Sequence, residues 1–285
     1  MANVIYSIYV NIDKVDHDIL NEGYPGEALN KSEKTQQSFK KYYQRLIDCK
    51  IEYAKECNAE FILYENLEHY LEFSIWCKEI LPSMSKYNII NFYKFYIADQ
   101  LVKKYDNVLY LDFDVIPHTT ENFFDVWDCQ NYFVIATSDR DYSLEYLLRS
   151  GLGINFRSPD AKRINSVLLL NEYGYSTDIE AYNTGIMGFS LKTNNQLNYF
   201  DNFSNVINDM SNLKNDTSFP ENIRGALGWD NETLFGFRSV QHELPIQELD
   251  DRWHCIIEQR PRFKARLGHY IHKKFELYWK RKYSV

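Results

Sequence analysis

Two acids one residue apart, Asp112 and Asp114, close the stretch N-V-L-Y-L-D-F-D that begins at Asn107. Val108, Leu109, Tyr110 and Leu111 form a short apolar run with the character of a buried strand. Side chains alternate along a strand, so residues two apart point to one side. Both carboxylates are therefore expected to converge at the carboxyl end of that strand, the edge where open α/β sheets bind ligands. Two like charges held together are unfavourable unless a cation neutralises them. The economical reading is a divalent metal that in turn grips a diphosphate. The plainer alternative is a strand running out into an acidic turn. The complete strand before the pair, and the Pro117 and helix start after it, weigh against that alternative.

Glycine loops for nucleotide phosphates are not in evidence. Neither G-x-G-x-x-G nor the P-loop pattern occurs, and Gly151-Leu-Gly153 is a fragment that follows no clear strand. Phosphate binding then falls to a metal and to basic side chains, which suits Asp112 and Asp114.

The elements that must carry these residues are legible around them. Val4 to Val10 is β-branched and aromatic and reads as a first strand. Thr35 to Cys57 carries a helical stripe at Tyr43, Ile47, Lys50/Ile51 and Ala54. Glu60 to Tyr64 reads as a strand, His69 to Ile80 as a helix stopping before Pro82, and Ile89 to Lys104 as another helix. Thr119 or Thr120 is the expected cap of a helix from Glu121 to Trp127, and Tyr132 to Thr137 the next strand. This alternation implies a parallel sheet with helices on both faces. Beyond it, Tyr142 to Tyr173 reads as helix and loop, and Asn183 to Leu191 is strand-like. Asn194 to Leu213 reads as a helix, and Lys214 to Gly228 as a loop. No repeat, low-complexity tract or linker interrupts the chain, so the expectation is one domain over residues 1–285.

Bulk properties narrow the function classes. The formal net charge is −8, which argues against nucleic acid as the main partner. Five scattered cysteines without a C-x-x-C pair read as reduced thiols, and the start Met1 to Ser7 has no secretory signature. Both point to a cytoplasmic protein. No run of about eighteen apolar residues is present, so no spanning helix is expected. The charge is uneven: Arg260 to Lys282 holds nine Lys or Arg against one acid, Glu276. That basic C-terminal segment, residues 260–285 with Trp279 and several Tyr, reads first as a solvated amphipathic helix. Its alternative uses are a phosphate-bearing acceptor or a peripheral contact with an anionic membrane.

Tyr93-Lys94-Phe95-Tyr96, followed by Tyr105-Asp106-Asn107 and the D-x-D block through Pro117, resembles the nucleotide-sugar core of GT-A glycosyltransferases. It is most similar to glycosyltransferase family 8, the glycogenin and bacterial galactosyltransferase group, with some likeness to family 32. The resemblance runs from about Val4 to Lys274 and is strongest at the D-x-D block. It implies an α/β fold of the single-domain, Rossmann-like GT-A kind, with a mostly parallel central sheet. It also implies a metal-dependent, retaining transfer of a sugar from a nucleotide-diphosphate sugar, a UDP-sugar first, to a glycan, lipid-linked or other hydroxyl acceptor.

The resemblance further assigns residues. Lys94 matches a basic donor contact on the helix before D-x-D. Val134-Ile-Ala-Thr-Ser-Asp139 matches a strand whose terminal Asp139 holds donor-sugar hydroxyls. Tyr182-Asn183-Thr-Gly185-Ile-Met matches F-N-x-G-V-M, whose Asn183 reaches the sugar. Gly228-Trp-Asp230-Asn231-Glu232 matches a D-Q-D helix start beside the reacting carbon. Leu267-Gly-His269-Tyr matches a late segment whose histidine is the third metal ligand, with His272 a second candidate. The family's G-x-x-K-P-W ending is not cleanly present; Lys274 is the lysine carried into the donor set. Tyr9, Asn11 and Asp13 end the first strand where the base and ribose are received, and Phe113 joins them. Two carboxylates and a diphosphate suit Mg²⁺ or Mn²⁺, and an imidazole tilts the choice toward Mn²⁺. Asp230 and Glu232 are the acids available to stabilise an oxocarbenium-like sugar carbon.

Two other functions use the same features differently. A sugar-phosphate nucleotidyltransferase needs a Gly-rich basic loop after the first strand, and Val10-Asn-Ile-Asp-Lys-Val-Asp is acidic and has no glycine. A non-catalytic glycan-binding protein on the same fold has no need for the paired acids.

Overall fold

The computed structural model describes residues 2–10, 28–65, 68–136, 159–220, 230–257 and 264–282, without side chains at 28–34, 136, 159–161 and 280–282. Strand β1 (Asn3–Tyr9) is followed by the long helix α1 (Ala28–Glu56) and by β2 (Ala59–Glu65). Helices α2 (Glu68–Ile80) and α3 (Lys86–Leu101) lead into β3 (Asn107–Leu111). β1 runs parallel to both β2 and β3. Beyond them come the short β4 (Val115–Pro117), α4 (Phe123–Val126), β5 (Phe133–Ala136) and α5 (Pro159–Glu172). Then follow β6 (Ile186–Phe189), α6 (Leu191–Leu197), α7 (Phe203–Asn215), α8 (Asn231–Gln241) and β7 (Ile246–Leu249). The chain closes with β8 (Cys255–Ile256), β9 (Leu267–His269) and α9 (Glu276–Lys282).

The central sheet has six strands in the order β2-β1-β3-β6-β5-β7. It is mostly parallel, but β6 is antiparallel to both neighbours, β3 and β5. An apolar run shows that a strand is buried and not which way it runs, so the reversal lies outside the sequence pattern. Its consequence is local. A reversed strand presents the residues before it, not after it, at the carboxyl edge of β3. Asn183, Thr184 and Gly185 therefore meet Asp112, whose N–H donates to Gly185 O at 2.8 Å.

Period-two alternation divides the core. Val4, Tyr6, Val108, Tyr110, Met187 and Phe189 face α2, α3, α7 and α8. Ile5, Leu109, Leu111, Val134 and Ile186 face the end of α1 and Trp253. Strands buried on both faces read as nearly continuous apolar runs, as β3 does. Helices thus cover both faces, as expected.

Three boundaries differ from expectation for identifiable reasons. α3 begins earlier, at Lys86, because Ser85 caps it and accepts from Asn88 N–H at 3.2 Å. α4 is a single turn capped by Asn122, not by Thr119 or Thr120. The helix expected over Asn194 to Leu213 is two helices. Asn198 (φ 39°) and Asn202 (φ 46°) both take the left-handed conformation and break the ladder between them.

A second, three-stranded sheet, β4-β9-β8, sits beyond the end of β3. Val115 pairs with His269 across β4 and β9, and Ile256 pairs with His269 across β8 and β9. Strands of two or three residues carry no readable period, so this sheet is invisible in the sequence. α9 packs its inner face into a third cluster: Trp279 is only 8% exposed, beside Phe275 and Tyr42, with the Arg45 guanidinium 5.6 Å from its ring centre. Trp279 is thus a packing residue, not a surface anchor. Among the described residues no helix is long and apolar enough to cross a membrane, and all five cysteines are free and buried.

Candidate active site

The D-x-D acids do converge, by a route other than strand alternation. β3 ends at Leu111, and residues 112–115 form a turn closed by Val115 N–H donating to Asp112 O at 2.9 Å. The turn folds Asp114 back beside Asp112. β9 then lays His269 across both: its Nε2 is 3.6 Å from Asp112 Oδ2 and 3.3 Å from Asp114 Oδ1. One ligand atom from each of Asp112, Asp114 and His269 lies within 4.8 Å of the other two. Two carboxylates and one imidazole at that spacing fit a hard divalent cation that accepts nitrogen.

Each member is held from behind. Tyr110 OH donates to Asp112 Oδ1 at 2.5 Å, from the same face of β3. Asp114 is buried, its backbone O accepts from Tyr270 N–H at 3.0 Å, and its Oδ2 accepts from the Lys273 ammonium. Burial alone would raise the Asp114 pKa, but Lys273 and His269 outweigh it and hold the carboxyl well below the usual range. Burial likewise pulls the Lys273 pKa down, and Asp114 more than restores it. Gly185 makes room for the cluster. A Cβ there would lie 2.7 Å from His269 Cε1 and 2.8 Å from Asp112 Oδ2.

Two buried lysines bond main-chain oxygens beside the cluster. Lys50, fully buried, donates to Phe113 O at 2.9 Å and sits 5.2 Å from the centre of the Phe113 ring. Lys94, 2% exposed, donates to Thr184 O at 2.9 Å and Thr184 Oγ1 at 2.7 Å, with the Tyr110 ring centre 5.2 Å away. Burial lowers both lysine pKa values, and Asp112 and Asp114 oppose that shift. Lys94 therefore stands one layer behind the wall where a donor contact was expected. Lys50 was not singled out. Its signal was a lysine on the apolar stripe of α1.

Thr184 is the hub joining this end to the start of α8. Asn231 Nδ2 donates to Thr184 Oγ1 at 2.5 Å, and Thr184 N–H donates to Glu232 Oε1 at 3.0 Å. Glu232 Oε2 accepts from Lys162. Asp230 caps α8, its Oδ1 accepting from the N–H groups of Glu232 (2.9 Å) and Thr233 (2.7 Å). Its other oxygen is 4.0 Å from Lys162 Nζ. Asn183 Oδ1 accepts from Gly185 N–H at 3.0 Å, and the side chain is only half-buried.

The remaining expected residues divide. Tyr9 packs on Phe113, ring centres 4.7 Å apart, within an aromatic floor that includes Phe39 and Tyr43. His272 and Lys274 are exposed, and His272 is not in the three-residue cluster. Asn11, Asp13 and Asp139 lie outside the described residues. Thr184, Lys162 and Tyr110 also line this network and are not assigned from sequence.

No curated protein matches the chain. Among solved structures, it is similar to a glycosyltransferase involved in the glycosylation of the major capsid of PBCV-1, at 12% identity over 95% of each chain, TM-score 0.48. It is also similar to mouse xyloside xylosyltransferase 1, at 12% identity over 74% of this chain and 75% of that one, TM-score 0.38. A third is the glycosyltransferase GlyE of Streptococcus pneumoniae TIGR4, at 14% identity over 95% of this chain and 55% of that one, TM-score 0.37. The family profile described as glycosyl transferase family 8 matches residues 1–276, which contain every member of the cluster and its supports. The chain belongs to glycosyl transferase family 8 and is a glycosyltransferase.

Proposed function

We propose that the enzyme moves a sugar from a nucleotide-diphosphate sugar, a UDP-sugar first, to a hydroxyl of a glycan or lipid-linked acceptor, with a divalent metal and with retention at the anomeric carbon. The observation that carries this reading is the convergence of Asp112, Asp114 and His269 within 4.8 Å. Mn²⁺ or Mg²⁺ bound by these three supplies Lewis-acid charge that favours departure of a diphosphate.

The chain's own groups do the rest. Lys273, bonded to Asp114, and the exposed Lys274 would offer further cations to a diphosphate held at the three residues. Tyr9 and Phe113 offer the apolar floor for a base. Asp230 keeps one oxygen in the cap; the other, 4.0 Å from Lys162 Nζ, is the one left to stabilise positive charge growing on the anomeric carbon. Asn183 contributes its amide edge to the same sugar. Glu232, Asn231 and Lys94 act through Thr184, setting the height of Asn183 and Gly185 against Asp112. Asp139 is assigned to the sugar hydroxyls and Asn11 and Asp13 to the ribose by family resemblance. Retention is a family expectation as well. Residues 1–285 act as one cytoplasmic transferase domain. The basic segment 260–285 is the side for a phosphate-bearing acceptor or an anionic membrane.

Release of the nucleoside diphosphate from a panel of UDP- and GDP-sugars, with Mn²⁺, Mg²⁺ or EDTA, tests donor and metal together. Mn²⁺-dependent release from a UDP-sugar supports the reading, and full activity in EDTA sinks it. NMR of the first-formed product tests stereochemistry: a β-linked product from an α-linked donor overturns retention.

A further inference from the structure

His254 is fully buried at the end of a short 3-10 turn, Asp251–His254, that feeds directly into β8. Its Nε2 is 2.9 Å from Nδ1 of His269, and the two rings stack with centres 5.1 Å apart at 26°. β8 pairs with β9 at Ile256 and His269, and Ile257 N–H donates to His269 O at 3.3 Å. The small sheet therefore fixes both rings to one frame.

The remaining nitrogen of His269, Nε2, is the one turned toward Asp112 and Asp114. A nitrogen that ligates a metal needs a free lone pair, so a neutral His269 must keep its proton on Nδ1. A buried N–H on Nδ1 needs an acceptor. We propose that His254 is a positioning residue for the metal site: its Nε2 lone pair accepts the Nδ1–H of His269, selects the tautomer that leaves Nε2 open, and holds the ring plane on the two carboxylates. His254 then carries its own proton on Nδ1. The inference rests on the metal-dependent reading above. It adds a residue acting through a ligand rather than on the metal or the sugar. Partners of this kind change metal affinity by about 10–100-fold when removed.

The test uses the full chain and metal alone. With Mg²⁺ at saturation, ¹⁵N NMR of the histidine side chains should show His269 protonated at Nδ1 and His254 unprotonated at Nε2. His269 protonated at Nε2 overturns the inference with no variant needed. His254→Phe keeps a stacked ring and removes the acceptor; His254→Gln restores a carbonyl acceptor. Mn²⁺ affinity by electron paramagnetic resonance should fall about 10–100-fold in the Phe variant and return to within a few-fold of wild type in the Gln variant. Equal weakening in both would show that packing, not acceptance, matters, and unchanged affinity in the Phe variant removes His254 from the site. If wild-type protein does not bind Mn²⁺, the metal reading itself fails and takes this inference with it. The two failures are thus distinct.

Discussion

At the end of β3, Asp112 and Asp114 face His269, one ligand atom of each lying within 4.8 Å of the others, and the Lys273 ammonium is bonded to Asp114. At the start of α8, Asp230 and Glu232 are a second pair of carboxylates two residues apart, and their oxygens are largely committed. Asp230 caps the helix, and Glu232 is shared between Thr184 N–H and Lys162. The first pair is built by two strands and a turn that bring three side chains together. The second is built by a helix terminus, which favours carboxylates for its own reasons. The carboxylates at α8 bond mainly to their own helix start and to Thr184 and Lys162; those at β3 meet an imidazole delivered from a distant strand.

The largest effect should come from attacking the open pair. Asp112→Asn or Asp114→Asn should lower metal-dependent sugar transfer by about 10³-fold, measured as UDP release, with the folded circular-dichroism spectrum retained. Equal activity in the Asn variants and wild type would remove the distinction between the two regions.

The next test uses pH on the metal-free protein. Asp114 has a lowered pKa in the folded state, so its stabilisation is complete above the unfolded carboxylate value of about 3.9 and is lost as pH falls through the folded value. Lys273 has a raised pKa, so its share is present below about 10.4 and is lost as pH rises through the folded value. Urea unfolding should show Asp114→Asn less stable than wild type by about 3 kcal/mol at neutral pH, with the gap closing below about pH 4. A gap that does not change with pH would mean that the ion pair contributes nothing.

At α8 the two acids should separate. Asp230→Asn keeps a good cap, so stability should change by less than about 0.5 kcal/mol while turnover falls about 10–100-fold. Glu232→Gln leaves Lys162 without its carboxylate and should cost about 1–3 kcal/mol of stability, with Mn²⁺ affinity unchanged. The reverse pattern would exchange their roles. Lys94→Met, an apolar replacement of similar length, should raise the donor KM about tenfold through Thr184 and leave Mn²⁺ affinity within about two-fold. The smallest effect belongs to the tail. Replacing Lys280, Arg281 and Lys282 with Gln should leave donor hydrolysis within about two-fold and weaken binding to anionic vesicles only at low salt.

The alternating strands are legible from a period of two and the late histidine from a short motif; the acid pair is legible as a motif, although a turn and not strand alternation brings its carboxylates together. What was not legible depends on pairing across long separations. Strand β6 reverses without changing its composition. β8 and β9 are too short to show a period, so the frame that delivers His269 and His254 appears only in three dimensions. Lys50 looks like an ordinary helix lysine until the turn it braces is placed over it, and Lys94, marked by resemblance alone, proves to bond Thr184. Asn198 and Asn202 show the same limit at a smaller scale, since asparagine tolerates a helix and a left-handed break alike.

Gly185 gives the site a particular mutational geography. A single added carbon meets an imidazole and a carboxylate of the candidate metal site. Trimming His269 relieves the overlap but removes a candidate ligand; trimming Asp112 does the same. In a saturation screen Gly185 should therefore be a position with no tolerated neighbour and no one-step suppressor among the residues it touches. Half-buried Asn183, two positions away, should accept replacements with graded loss. Sequences that abandon Gly185 are separated from this one by a valley rather than a slope.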